Sequence, residues 1–319
     1  MSRKGWLLFV AMGVIWGLPY LLIKISVREI AAPMLVEMRT GGAAVLLVPI
    51  ALKRGELAAV LRRWKPLVVF CLVEISIPWL FLFDAEKKLS SSLAGLLVAA
   101  VPLVGAVLAR FTGDDRLDRR RLLGIVVGLG GVAALVGFDV GKSDAWAALS
   151  IGVVAIGYAL GPWTLSRYLS DLPALGVIAA ALGLCAVFYA PLAAFNVPTR
   201  SLSASVIASV VGLTVVCTAI AFVMFFALIN EVGPVRSTVI TYVNPAVAVL
   251  LGVSVLGERF GPGTAVGFVF IVAGCVLATA RNARGSAAAP PPSLSVGAGD
   301  PGSDRPGDFE PDVAGQGVD

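Results

Sequence analysis

Long uninterrupted apolar runs dominate the chain, and the segments between them carry most of its charge, proline and glycine. Ten runs stand out, at about 5 to 24, 33 to 52, 67 to 84, 90 to 109, 121 to 138, 145 to 165, 173 to 194, 204 to 228, 235 to 256 and 263 to 280. A helix needs roughly 20 apolar residues to cross a hydrocarbon core of about 30 Å. Each run therefore predicts a transmembrane helix. No run alternates with the short period of a membrane barrel strand, and a helix satisfies its own backbone hydrogen bonds in lipid. The predicted fold class is an all-α polytopic membrane protein with ten transmembrane helices. The first run follows Arg3 and Lys4, but it is too long for a signal-peptide core and has no small-x-small cleavage site before Lys24. It reads as a retained first helix.

The runs repeat. Leu256-Gly257-Glu258-Arg259-Phe260 closes one apolar stretch as Gly113-Asp114-Asp115-Arg116-Leu117 closes another, at a constant offset of 143 residues. Without gaps, the same offset places Pro102 on Pro245, Gly124 on Gly267 and Gly131 on Gly274. Apolar helices match Leu, Val and Ala freely, but seldom align proline, an acid-Arg pair and two glycines together, so the match implies duplication. The expected units are a five-helix repeat at 5–138, a second at 145–280 and a tail at 281–319. An odd helix count makes the second repeat enter the membrane from the opposite side. Two inverted five-helix repeats of this kind build a site near the midplane that rocking can open to either side.

Composition and charge sharpen this picture. The chain is 58% hydrophobic and 14% charged, against about half and a quarter in soluble domains. With the N-terminus inside, the inner segments collect Arg3, Lys4, Lys53, Arg54, Arg62, Arg63, Lys65, Arg110, Arg116, Arg119, Arg120, Arg121, Arg167, Arg236, Arg281 and Arg284, while the outer ones hold Lys24, Arg28, Lys87, Lys88, Lys142, Arg200 and Arg259. The positive-inside rule places both termini in the cytoplasm. Inner arginines account for the net charge of +5, so nothing calls for a nucleic-acid partner. The tail, rich in Pro, Gly, Ala, Ser and Asp, cannot bury a core and predicts cytoplasmic disorder.

Several chemistries drop out. The chain has no histidine, and Cys71, Cys185, Cys217 and Cys275 are scattered through apolar runs. This argues against a metal site, a catalytic triad or any cofactor. Gly137 to Ser143 looks like a phosphate loop, but its glycines are one residue too close and no strand precedes it.

Trp16-Gly17 in the first run, Arg39 in the second, the stretch from Asp84-Ala85-Glu86-Lys87-Lys88-Leu89-Ser90 to Pro102, Thr218-Ala219-Ile220-Ala221-Phe222, and Pro245 to Leu256-Gly257-Glu258-Arg259 together resemble the EamA family of the drug/metabolite transporter (DMT) superfamily, over residues 5 to 280. The resemblance implies a ten-helix secondary carrier in a bacterial cytoplasmic membrane. Such carriers are often exporters of amino acids, other metabolites or toxic compounds, with a cavity between the repeats. Two departures stand out: Asp114-Asp115 replaces the commoner Gly-Glu, and Glu74 occupies a position that is usually apolar or small.

Glu74 lies near the middle of the third run, where a charge costs about 2.5 to 3.5 kcal/mol on insertion scales. It must face protein or water and is a candidate for proton coupling or for binding a substrate amine. Glu37 and Arg39, two residues apart, point about 200° apart on a helix and make poor partners for each other. Arg39 is expected either to serve the transport pathway or to hold the helix end against carbonyls, another carboxylate or the interface, and Glu37 to pair with Lys87 or Lys88; both are candidates for coupling or gating. The cluster of Asp84, Glu86, Lys87 and Lys88 reads as a solvated rim, with Asp84 the exception and a candidate gate.

Candidate cavity residues are Trp16 and Tyr20, one turn apart in the first run, with Trp79, Tyr158, Thr218, Thr241, Tyr242 and Asn244. Trp163 is an expected interfacial anchor. Pro102 and Pro245 predict paired helix breaks. Gly124 with Gly128, and Gly263 with Gly267, form GxxxG patterns that predict close helix packing and a possible homodimer face. The favoured function is secondary export of a small organic substrate by alternating access, with protons as a candidate coupling ion and no catalytic residue. An importer or exchanger of the same superfamily stays open, as does a membrane enzyme or receptor.

Overall fold

The computed structural model describes residues 2–111, 119–139, 145–233, 237 and 240–279, and every regular element among them is helical. The Asp115-Arg116 marker, most of the Gly137 to Ser143 loop and the 281–319 tail lie outside these residues. Seven helical stretches are long and apolar enough to cross a membrane. The first two are α1 (Arg3–Ser26) and α2 (Ala32–Lys53). After a short α3 (Leu57–Arg62), the third stretch consists of α4 (Trp64–Phe70), a π-helical segment (Cys71–Ser76) and α5 (Ile77–Ala85). The fourth joins α6 (Ser91–Val98) to α7 (Val101–Phe111).

The remaining long helices are α8 (Arg119–Asp139), which opens on three arginines, then α9 (Ala145–Tyr168) and α10 (Ala174–Ala194). Next comes a stretch of α11 (Ala204–Val211), a second π-helical segment (Gly212–Ile220) and α12 (Ala221–Val232). The expected runs at 235–256 and 263–280 are shorter apolar helices, α13 (Ile240–Leu256) and α14 (Pro262–Thr279).

The outer faces are apolar, as a lipid-facing surface requires: Val45, Leu7, Val187 and Leu250 are all well exposed. Inside, the most extensive packing joins α8 to α14, α2 to α10 and α1 to α13. The α8–α14 seam uses small residues so that the backbones touch. A Cβ at Gly124 would meet the Ala278 nitrogen at 2.5 Å and the Gly274 carbonyl at 2.8 Å, and one at Gly131 would meet the Gly267 carbonyl at 2.7 Å. Gly128 is covered by Leu103 and lies against Gly274, whereas Gly263 sits in the first turn of α14. The close approach thus runs through Gly267 and Gly274.

The paired prolines do not act alike. Near Pro102 the helix is interrupted at Ala99 and Ala100, between α6 and α7. Pro245 is buried within an uninterrupted α13. The irregularities that do correspond are the π segments, because the 143-residue offset carries Cys71–Ser76 into Gly212–Ile220. Each widens the helix at mid-span, a distortion common at functional sites.

Candidate functional site

Arg39 is the centre of the buried polar chemistry. It projects from α2 into the core and is only 6% exposed. Its guanidinium carbon lies 3.7 Å from the Trp79 ring centroid and 5.9 Å from that of Phe83, which stacks on Trp79. Its Nε donates to Thr218 Oγ1 at 2.9 Å. Among the described residues no carboxylate lies within ion-pair distance of it. The expected snorkelling, carbonyl or carboxylate contact is therefore replaced by an aromatic face and a hydroxyl. Physically, a planar, weakly hydrated guanidinium suits stacking on an indole.

Both π segments contribute to this placement. Thr218, fully buried in the second, donates to the Leu213 carbonyl five residues back at 2.8 Å and so presents its oxygen to Arg39. The first segment precedes α5, which carries Trp79, and its Ser76 carbonyl accepts from Tyr189 Oη at 2.9 Å. Tyr20 and Cys217 lie within electrostatic range of Arg39. Tyr158, from α9, is also in range and within hydrogen-bonding reach of the Trp79 indole. Side chains from α1, α2, α5, α9 and the second π segment thus converge on one charge.

Glu74 sits on the first π segment against Gly161 of α9, where even a methyl group would collide with its carboxylate. Its Oε2 is buried without a hydrogen-bond partner. Glu37 does not pair with Lys87 or Lys88. It faces Gly41 and the Cys185 region of α10, also with Oε2 unpartnered, while Lys87 bonds Asp84 at 2.8 Å. The opposite directions of Glu37 and Arg39 follow from their 200° separation.

The acidic rim is also corrected. Asp84 has a half-exposed side chain held by Lys87, one helical turn away. Glu86 is the exception: it has no exposed surface, and neither carboxyl oxygen has a hydrogen-bond partner. It caps the C-terminus of α5, and burial raises its pKa well above the ordinary carboxylate value. Lys24 lies alongside, but its Nζ donates to the backbone carbonyls of Glu86 and Leu89, each at 2.6 Å. The sequence hides Glu86 within a charged run. A signal was available in its i+3 spacing from the buried Phe83 and from Leu89, which is itself 2% exposed.

Glu258 ties this end together. Gly257 takes φ +65°, a conformation open to glycine, and lets the Glu258 amide reach back to the Gly252 carbonyl at 3.1 Å. The carboxylate then swings to the N-terminus of α6, accepting from Ser91 N at 2.7 Å, Ser92 N at 2.9 Å and Ser92 Oγ at 2.6 Å. Burial disfavours its charge, but the bonds from Ser92 and Ser91 outweigh that and hold its pKa below the usual carboxylate value. An acid at a helix N-terminus is favourable for the same reason.

Apart from Tyr20, the other aromatic and polar candidates do not gather at Arg39. Trp16 meets Phe222 and Phe225 (centroids 6.0 and 4.6 Å away) and packs with Phe225, Met12 and Ile240 in a separate cluster. Tyr20, one turn on, belongs to the main core and packs near Gly95. Tyr242 and Phe222 pack at the edge of that core. Asn244, in the amide orientation that satisfies its bonds, donates to Ile240 O (3.0 Å) and to Gly13 O (3.1 Å) and so stitches α13 to α1. Thr241 is exposed. Trp163 meets Tyr168 edge-on at 5.9 Å, and Tyr168 joins Arg62, Arg63, Trp64, Lys65 and Arg167 around a basic depression.

The chain is similar to several known proteins. The inner membrane transporter YedA of Escherichia coli strain K12 is 30% identical over 255 residues, covering 78% of this chain and 81% of its own. A chloroplastic WAT1-related protein of Arabidopsis thaliana is 24% identical over 272 residues, covering 80% of this chain and 64% of its own. A transporter of Archaeoglobus fulgidus is 24% identical over 292 residues, covering 88% and 99% of the two chains. A solved crystal structure shares the fold with a TM-score of 0.63 at 24% identity, over 87% of this chain and 98% of that one. The EamA-like transporter family matches residues 3–137 and, separately, 145–280. This helical membrane protein, in which a buried arginine of the first of two tandem family matches bonds a threonine of the second, belongs to the EamA-like transporter family.

Proposed function

We propose that this protein is a secondary transporter that exports a small carboxylate-bearing metabolite, an amino acid or related compound, by alternating access. Arg39 is the observation that carries the proposal. A buried cation is costly unless it is paired, and this one has an aromatic face and a single hydroxyl where a carboxylate partner would be expected. A substrate carboxylate supplies the missing anion. The guanidinium fork matches a carboxylate in two parallel bonds, and Trp79 and Tyr158 offer walls for the rest of the molecule.

The packing supports ten spans arranged as two inverted repeats. The second helices of the two family matches pair (α2 with α10), as do the fifth helices (α8 with α14). Helix α1 packs on α12, while α9 packs on α5. This reciprocity is what a pseudo-two-fold axis produces. Basic residues at 62, 63, 65 and 167 gather at one end and support a cytoplasmic assignment there. The Lys24, Glu86 and Glu258 end is then outside and closed.

The purified chain in proteoliposomes should exchange labelled amino acids, with and without an imposed pH gradient, and Arg39→Gln should abolish exchange without loss of folded protein. Normal exchange by Arg39→Gln would refute the site. An absence of flux across a broad panel of amino acids, organic acids and amphipathic cations would refute the transport reading.

A further inference from the structure

We propose that Glu86 is a proton-operated latch on the Lys24–Glu258 end of this transporter, protonated while that end is closed and releasing its proton to the water of the same side when it opens. The inference rests on the transport reading and adds a gating residue to it.

The geometry is specific. Glu86 has zero exposure and two unpartnered carboxyl oxygens. A bare carboxylate in such a place costs several kcal/mol, so the neutral acid is the form that the closed structure holds. Lys24 and Arg39 favour the anion, but neither forms an ion pair with it: Lys24 directs its ammonium to the Glu86 and Leu89 carbonyls, and burial prevails. The other groups that face it are Tyr20 from α1, Arg39 from α2, Tyr158 from α9 and Glu258 beyond α13. On its own connection, Asp84 and Lys87 pair with each other. Glu258 is an anion held by three bonds, and it favours the proton on Glu86.

What keeps water away is the closure itself. The Lys24 bonds pin the end of α1 to residues 86–89, and Glu258 pins the end of α13 to the start of α6. Breaking these contacts exposes Glu86 and restores its hydration, and the proton leaves to water with no other atom transferred. By linkage, a group whose pKa is raised in the closed form favours closure at low pH, and that preference fades as pH rises through the raised value. Outward opening and proton release are therefore one event. The carboxylate left behind must regain a proton before this end can close again. Glu86 also lies within electrostatic range of Arg39, so a substrate anion on Arg39 acts on the proton through the same field.

Infrared spectroscopy of the full chain in lipid reads this directly, without a substrate. One protonated-carboxyl component of the carbonyl stretch should be present at neutral pH, disappear in Glu86→Gln, shift but persist in Glu86→Asp, and remain in Glu74→Gln, which removes only the separate component of the buried Glu74. In addition, with Cys71, Cys185 and Cys275 replaced by alanine, modification of Cys217 by a charged thiol reagent should rise with pH more steeply in the native Glu86 background than in Glu86→Gln. A spectrum in which Glu86→Gln removes no protonated carbonyl, or parallel Cys217 profiles, overturns the proposal. Either result leaves substrate exchange by the unmodified chain as a separate outcome, so the transport reading stands or falls on its own.

Discussion

Replacing Glu258 by glutamine should open the closed end of this transporter. The substitution keeps size and shape but removes the charge and turns one acceptor oxygen into a donor. Three donors converge on the native carboxylate, the amides of Ser91 and Ser92 and the Ser92 hydroxyl, at 2.6 to 2.9 Å. A hydrogen bond to a charged group contributes about 1.5 to 3 kcal/mol. Glutamine can accept on one oxygen only, and its NH2 faces an amide donor. Glu258 is half-buried, so solvent screening reduces the full sum. A net loss of about 2 kcal/mol remains, which is roughly a 30-fold shift in the closed-to-open ratio. Spin labels at Lys87 and Arg259, both at this end and both exposed, would report the change as a longer-distance population in double electron–electron resonance. Ser92→Ala should give a smaller shift, because the two backbone donors remain. A distance distribution for Glu258→Gln that matches the native one would refute the reasoning that these bonds hold the end shut.

The same carboxylate sets an acid limit. Its pKa is depressed in the closed form, so its contribution is intact above the ordinary carboxylate value and is lost as pH falls through the depressed one; the loss of these bonds should lengthen the label distances in that acid range. Arg39→Lys keeps the charge but loses the planar stack on Trp79, worth about 0.5 to 2 kcal/mol, and the two-bond fork. Substrate exchange should fall by about tenfold or more while thermal unfolding in detergent changes little. Gly124→Ala pushes a methyl into the backbone of α14, where nothing flexible can yield, and should destabilise the protein by about 1 to 3 kcal/mol or more. Gly130→Ala, with open space around its Cβ, is the matched control and should unfold at the native temperature. Gly161→Ala should displace Glu74 and disturb the α5–α9 contact, visible as a lower unfolding temperature that Glu74→Ala in the same chain partly restores.

The chain alone determined that the protein is helical, that it lives in a membrane and that its apolar stretches come in two related sets, because these properties depend on span length and repeat spacing. It also placed Arg39, Trp79 and Thr218 among the residues of interest, since ionisable and aromatic side chains stand out in apolar runs. Which of them meet was decided only by tertiary packing. Trp16 and Tyr20, neighbours on one helix face, went to different clusters because α1 contacts α12 along one edge and α6 along another. Glu86 and Asp84, two residues apart in one charged run, ended in opposite environments, one sealed under Lys24 and one in water. Glu258 marked a helix boundary in the sequence and became a bolt only when the fold brought the α6 N-terminus against it. Hydropathy and spacing act along the chain and are legible there. The partner of a buried charge lies on another helix, 179 residues away for Arg39 and Thr218, and is set only when the helices pack.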